Sequence, residues 1–172
     1  MRNRVSAILI LAILLGGVVV IGSWQIPLIG RIFDNYKEIP EFAVFEGMSA
    51  AIVDVDKPGQ EYKYAVMYLR NSERGLLVFE QIIRRDSSDN IWYKILDTCN
   101  INRIEPDEDV VLVGCHDFGI RDTEIAVMVK ADYSKEYFEH ILRAWRTDRK
   151  TGKIVPLQNL RGLKCINDGF GI

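Results

Sequence analysis

The sequence predicts an α+β domain that follows a single N-terminal membrane-spanning helix. An apolar run without any charged residue extends from Val5 to Gly22. Short β-rich runs, separated by turn residues, then predict an antiparallel meander of about five to seven strands. One later stripe of apolar residues has helical spacing, which predicts a single amphipathic helix packed on the sheet.

The apolar run has the length of a transmembrane helix. At about 1.5 Å of rise per residue it covers the hydrocarbon thickness of a bilayer. Arg2 and Arg4 precede the run and the next basic residue is Arg31, so the positive-inside rule places the N-terminus in the cytoplasm. The chain is divided accordingly into cytoplasmic residues 1–4, a spanning segment 5–24, a juxtamembrane stalk 25–41 and an extracytoplasmic domain 42–172.

A cleaved signal peptide is the alternative interpretation of this N-terminus. Signal peptides have an apolar core of about 7 to 15 residues followed by a small-x-small cleavage site. The run here is longer, and Val20-Ile21-Gly22 matches such a site poorly. Both interpretations export the domain, either as a single-pass protein of the bacterial inner membrane or as a protein secreted to the periplasm.

Turn residues divide the domain into strands. Asp56–Gln60 contains the turn formers Pro58 and Gly59 and separates two β-rich runs, 48–55 and 61–69, which predicts a hairpin. In the second run both alternating faces are largely apolar. The same reasoning predicts further strands over 76–84, 91–97, 110–115, 123–130 and 153–157.

The predicted helix covers residues 134–147. Between Phe138 and Trp145, apolar residues recur at positions i, i+3, i+4 and i+7, which forms one apolar stripe on a helix. Asp132 or Ser134 is the candidate N-cap. The sheet is the expected partner of the stripe.

Three cysteines lie in the exported part, where a disulfide can form but one cysteine is left over. A bond between Cys115 and Cys165 would close the C-terminal tail onto the sheet, whereas one between Cys99 and Cys115 would clip a local loop. The sequence does not determine the connectivity, and Cys115–Cys165 is the pair that we favour.

The charge distribution argues against nucleic-acid binding and suggests a protein-binding surface. Without Arg2 and Arg4, the exported part retains 20 basic against 24 acidic residues, a net charge of −4. This is not the signature of a nucleic-acid-binding protein. A local basic cluster is a candidate surface for an acidic partner. Its residues are Arg143, Arg146, Arg149 and Lys150.

No motif assigns a catalytic, metal-binding or cofactor-binding residue. Cys115-His116-Asp117 has the residue types of a cysteine nucleophile and its base, but neighbours on a strand point to opposite faces. No C-x-x-C or H-x-x-x-H pair supplies local metal ligands, and no phosphate-binding glycine loop occurs. The sequence therefore predicts no cofactor and favours a protein that is not an enzyme.

The functional expectation is a bitopic bacterial envelope protein whose outer domain binds a protein or an envelope component, as an accessory subunit, inhibitor or scaffold. An envelope hydrolase that uses dispersed acidic residues is one alternative. A pilus-like structural subunit is another. The apolar run, however, lacks both the preceding glycine and the internal glutamate that are typical of pilus precursors.

Overall fold

The computed structural model describes residues 27–52, 62–72 and 74–171. These ranges are nearly all β, with 56% of the residues in strands and no helix of seven residues or more. A short 3₁₀ turn covers Tyr36–Glu38, between the first two strands. The predicted spanning segment 5–24 lies outside the described residues. Within these ranges there is no helix with the length and apolar character needed to cross a bilayer.

The strands, numbered in chain order, form three antiparallel sheets. Sheet A has the order β1-β5-β4-β3-β2, with β1 at Ile32–Phe33, β2 at Glu46–Ile52, β3 at Tyr64–Arg70, β4 at Arg74–Arg85 and β5 at Ile91–Asn102. Sheet B has the order β12-β11-β9-β6, with β6 at Glu108–Leu112, β9 at Ile125–Lys130, β11 at Ile141–Asp148 and β12 at Lys153–Pro156. Sheet C has the order β10-β13-β7-β8, with β7 at Cys115–Asp117, β8 at Ile120–Asp122, β10 at Tyr137–Phe138 and β13 at Leu163–Ile166.

The predicted helix over residues 134–147 is wrong, and with it the α+β class. This range contains β10 and most of β11, which belong to different sheets. In β11 the neighbours Ala144 and Trp145 are both buried, one against sheet C and the other against sheet A. The register shifts between Ile141 and Arg143, which breaks simple alternation. Because β11 is bulged and buried on both faces, its apolar residues recur with the spacing that is typical of a helix.

Sheets A and B pack face to face around the main core. Val66, Tyr68 and Phe79 project from sheet A, and Met128 and Trp145 project from sheet B. All five side chains are buried in one contiguous cluster. This arrangement is a β-sandwich, which buries the inner faces of both sheets.

The outer face of sheet A is covered by residues 27–45, which we call the N-terminal segment. Phe33, Ile39, Phe42 and Phe45 of this segment are buried against that face. The backbone N–H of Gly30 donates a hydrogen bond to the carbonyl of Ile95 in β5. The part of the predicted stalk that the structure describes is thus packed as a layer of the domain.

Sheet C covers the outer face of sheet B. Ile125, Val127 and Val129 of β9 are buried with Leu163 and Phe138 of sheet C. The intervening residues of β9 face sheet A instead. The order of the layers is therefore N-terminal segment, sheet A, sheet B and sheet C.

One carboxyl group is buried in this core. Glu80 on β4 is only 1% exposed, and its Oε1 has no hydrogen-bond partner among the described residues. It pairs with Ala65 and Ile95 across the sheet, and Ile95 faces the N-terminal segment. Burial raises the pKa of Glu80 from 4.5 to about 8, because the charged form has no solvation there.

The buried carboxyl group predicts a pH-dependent stability. The folded protein keeps this proton up to about pH 8, while the unfolded chain loses it near pH 4.5. The free energy of unfolding therefore falls as the pH rises between these values. We expect Glu80→Gln to flatten this dependence and to stabilise the protein near pH 8 by on the order of a few kcal/mol. Chemical denaturation between about pH 5 and 9 measures the effect.

The matched control for this experiment is Glu139→Gln, since Glu139 is exposed. It should keep the pH dependence of the parent protein. If Glu80→Gln also kept the parent's pH dependence, the proposed protonation of Glu80 would be wrong.

Candidate functional site

The outer face of sheet C is not covered by another layer of the described residues. The inner face contributes Cys115, Leu163 and Cys165 to a buried cluster, whereas the described residues form no such cluster on the opposite face. Sheets A and B are covered on both sides. The outer face of sheet C is therefore the sheet surface that remains open in the part of the chain that the structure describes.

Strand pairing places three nitrogen-bearing side chains in a row on this open face. His116 in β7 pairs with Arg121 in β8 on one side and with Lys164 in β13 on the other. Cross-strand partners share a face, so the row extends across three strands, or roughly 10 Å. Tyr137 of β10 lies beside it, with the Lys164 Nζ 4.1 Å from its ring centroid. We call His116, Arg121, Tyr137 and Lys164 the sheet C face.

The sheet C face has two cations without an ion-pair partner, and one ring nitrogen without a hydrogen-bond partner, among the described residues. Arg121 and Lys164 form no ion pair with a carboxylate of the described residues. The His116 Nε2 is buried and has no hydrogen-bond partner within the same ranges. Its ring lies edge-on to Tyr137, with the centroids 6.3 Å apart. A ligand with negative charge would find the cations of Arg121 and Lys164 here.

The β7–β8 turn adds an apolar projection at one side of this face. Phe118 and Ile120 are 69% and 74% exposed. Phe118 has a φ of 48° and Gly119 a φ of 86°, which are the two successive left-handed residues that a type I′ hairpin turn requires. Asparagine or glycine usually occupies the first position, and phenylalanine there costs roughly 1 kcal/mol. We call Phe118–Ile120 the hairpin tip.

Gly162 determines where the Phe118 ring lies. A Cβ on Gly162 would come within 2.8 Å of that ring, and the Phe118 N–H donates to the Gly162 carbonyl. The ring is thereby held against β13 while most of its surface faces solvent. A large apolar side chain that is exposed, and is also in an unfavourable backbone conformation, is typical of a binding surface.

A disulfide joins the two strands below this surface. The Sγ atoms of Cys115 and Cys165 are 2.10 Å apart, and these residues are direct partners in the β7–β13 ladder. Cys99 is the free cysteine of the described residues, and burial raises the pKa of its thiol. Because its sulfur is bonded and fully buried, Cys115 does not act as the nucleophile that Cys115-His116-Asp117 suggested.

The structure separates the four residues of the predicted basic cluster. Arg146 and Arg149 pair with carboxylates, the first with Asp122 at 2.7 Å and both with Glu124. Arg143 and Lys150 are exposed, but they lie near opposite ends of β11, roughly 20 Å apart. The pair between Arg146 on sheet B and Asp122 on β8 links two layers of the domain. Half of the predicted surface is thus engaged within the fold.

These ion pairs predict different effects for two neighbouring arginines. Arg146→Glu places a third carboxylate beside Asp122 and Glu124, so we expect a loss of stability on the order of 2 kcal/mol. Arg143→Glu, at an exposed position on the same strand, should change stability by less than about 0.5 kcal/mol. Thermal or urea unfolding of the two variants measures this difference. Equal stabilities would show that the ion pairs do not link the layers.

The sequence alone did not reveal the sheet C face. His116 and Arg121 are close in the chain and face each other across the β7–β8 hairpin, but Lys164 is far along the chain and joins them only through the register of β13 with β7. The cysteines, however, indicate which positions of the two strands lie opposite each other. If Cys115 and Cys165 are paired on antiparallel strands, the next position places His116 opposite Lys164.

No known site type or relative identifies this surface. Among the described residues, no group of three or more histidine, cysteine or acidic side chains is arranged to hold a metal ion. The chain matches no family model, no curated protein and no solved structure. The geometry and charge of the sheet C face and the hairpin tip are therefore the features that bear on function.

Proposed function

We propose that this chain is a membrane-anchored envelope protein whose outer domain binds an acidic protein partner. The binding surface is the sheet C face together with the hairpin tip. The observation that supports this proposal most directly is the row of Arg121, His116 and Lys164 on an open sheet face, where neither Arg121 nor Lys164 pairs with a carboxylate of the described residues.

The chemistry of the surface fits a protein partner. Protein interfaces combine aromatic and arginine anchors with a polar rim. Phe118 supplies a rigid apolar anchor, and Arg121 and Lys164 supply charges that orient an acidic partner and accelerate its association. Because β7 and β13 are joined by the disulfide, the surface is fixed before the partner arrives, which lowers the entropic cost of binding.

Anchorage and location are supported by the sequence. The uncharged run from Val5 to Gly22 is long enough to span a bilayer, and Arg2 and Arg4 place the remainder outside. A disulfide is stable in an oxidising compartment such as the periplasm. The proposed protein therefore presents its binding surface on the outer side of the inner membrane.

Charge reversal tests the binding surface. The full-length protein, tagged after Ile172, is captured from solubilised native membranes together with its bound proteins. We expect an acidic partner in stoichiometric amount with the parent protein. The partner should be lost with Arg121→Glu/Lys164→Glu and retained with Arg143→Glu/Lys150→Glu. Both double variants change the net charge equally, so the comparison isolates the position of the charge. Loss of the partner only with Arg143→Glu/Lys150→Glu would assign binding to the surface around Arg143 and Lys150.

An uncharged variant separates binding from folding in the same experiment. Phe118→Asn removes the apolar anchor but introduces a residue that adopts the left-handed conformation easily. The free energy of unfolding should stay within about 1 kcal/mol of the parent value, while partner capture falls. Val155→Thr, at another exposed apolar position, should leave both unchanged. Normal capture by Phe118→Asn, with a destabilised fold, would assign Phe118 a purely structural role.

A further inference from the structure

A cleft opens on the outer side of sheet A, beside the N-terminal segment. Its volume is about 650 Å³, and it is lined by the two ends of that segment and by the adjoining parts of β4 and β5. Two apolar residues of its wall are strongly exposed, namely Ile29 at 47% and Val44 at 69%. We call this feature the N-terminal cleft. The lining residues used below are Pro27, Ile29, Glu41, Val44 and Arg74.

The chain itself limits how far this cleft can lie from the predicted membrane span. The apolar run ends at Gly22, and Pro27 already lines the cleft. Five residues of extended chain reach at most roughly 17 Å. The headgroup layer on one side of a bilayer is about 5 to 7 Å thick. Even with a fully extended connection, the cleft therefore lies within roughly 12 Å of the lipid headgroups.

The charges around the cleft favour an anionic surface. Arg74 lines the cleft, and its guanidinium lies 5.5 Å from the centroid of the Phe45 ring. Glu41, which also lines it, is neutralised by an ion pair of 2.7 Å with Arg31. A surface with exposed apolar side chains and an arginine that forms no ion pair among the described residues matches the bilayer interface, where apolar groups contact acyl chains and arginine contacts phosphate.

We infer that the N-terminal cleft is a membrane-contact surface that lies on an anionic phospholipid bilayer. Ile29 and Val44 enter the interface, and Arg74 contacts the phosphate groups. This inference rests on the proposed anchorage by the apolar run and specifies how the anchored domain is oriented. Because the cleft and the sheet C face lie at opposite ends of the layer order, the partner-binding surface points away from the membrane. With about 10 Å between packed sheets, sheet C is roughly 20 Å beyond sheet A.

Fluorescence at a single labelled position tests this orientation. The full-length Cys99→Ser protein receives one cysteine, either Val44→Cys or the control Val155→Cys, labelled with the dye NBD under non-reducing conditions. Both positions are exposed, so both variants should fold. The proteins are reconstituted into phosphatidylcholine vesicles, with and without phosphatidylglycerol. The measurements are vesicle flotation, the rate of dye reduction by dithionite, and quenching by lipids with nitroxide-labelled headgroups.

We expect both proteins to float with the vesicles. The dye at position 44 should be reduced several-fold more slowly than the dye at 155, and nitroxide lipids should quench it more strongly. Phosphatidylglycerol should increase this quenching. Arg74→Glu should decrease it, whereas Arg143→Glu should not.

The remaining outcomes distinguish failure of the membrane anchorage from failure of the membrane-contact surface. Failure to float would overturn the anchorage and with it the contact surface. Flotation with equal dithionite rates at 44 and 155 would overturn the contact surface alone. Slow reduction at 44 without quenching by nitroxide lipids would show that protein, and not lipid, covers the cleft, which also contradicts the inference.

Discussion

The burial of sheet B on both faces is the constraint on which the rest of the structure depends. Every residue of β9 from Ile125 to Val129 is buried, with alternate side chains in two different clusters. Such a strand needs a sheet on each side. Sheet A supplies one and sheet C supplies the other. Sheet A is apolar on both faces as well, and its second face is covered by the N-terminal segment. The four-layer order follows from these requirements.

The same double-sided burial explains how far the fold could be predicted. The predicted turn at Asp56–Gln60 lies outside the described residues, but the strands predicted on either side of it are neighbours, and β2 to β5 form the expected meander. Helix prediction from apolar spacing requires one face to be polar. In β11 neither face is polar throughout, because Ala144 and Trp145 face different sheets. The apolar spacing therefore could not distinguish a helix from a bulged central strand.

The candidate surface was harder to predict, since Lys164 joins His116 and Arg121 only through the tertiary pairing of β13 with β7. Counting charges along the chain favoured Arg146 and Arg149, whose partner Glu124 is more than twenty residues away. The open row of Arg121, His116 and Lys164 depends on the β7–β13 register instead. Among the sequence features, only the favoured disulfide between Cys115 and Cys165 indicates this register, because it pairs one position of β7 with one position of β13. Its use as a geometric restraint would have placed the row correctly.

The central claim is that the N-terminal segment is an integral layer, so that the domain begins almost at the end of the predicted membrane span. Amide hydrogen exchange of the full-length protein tests this claim most directly. Next to the β1–β5 pairing, the Gly30 N–H donates to the Ile95 carbonyl and the Ile95 N–H donates to the Arg31 carbonyl. If the N-terminal segment is an integral layer, both amides exchange with the same opening free energy as the Val78 amide in β4. Exchange of Gly30 and Ile95 near the rate of unfolded chain, while Val78 stays protected, would contradict it and would indicate a detachable stalk.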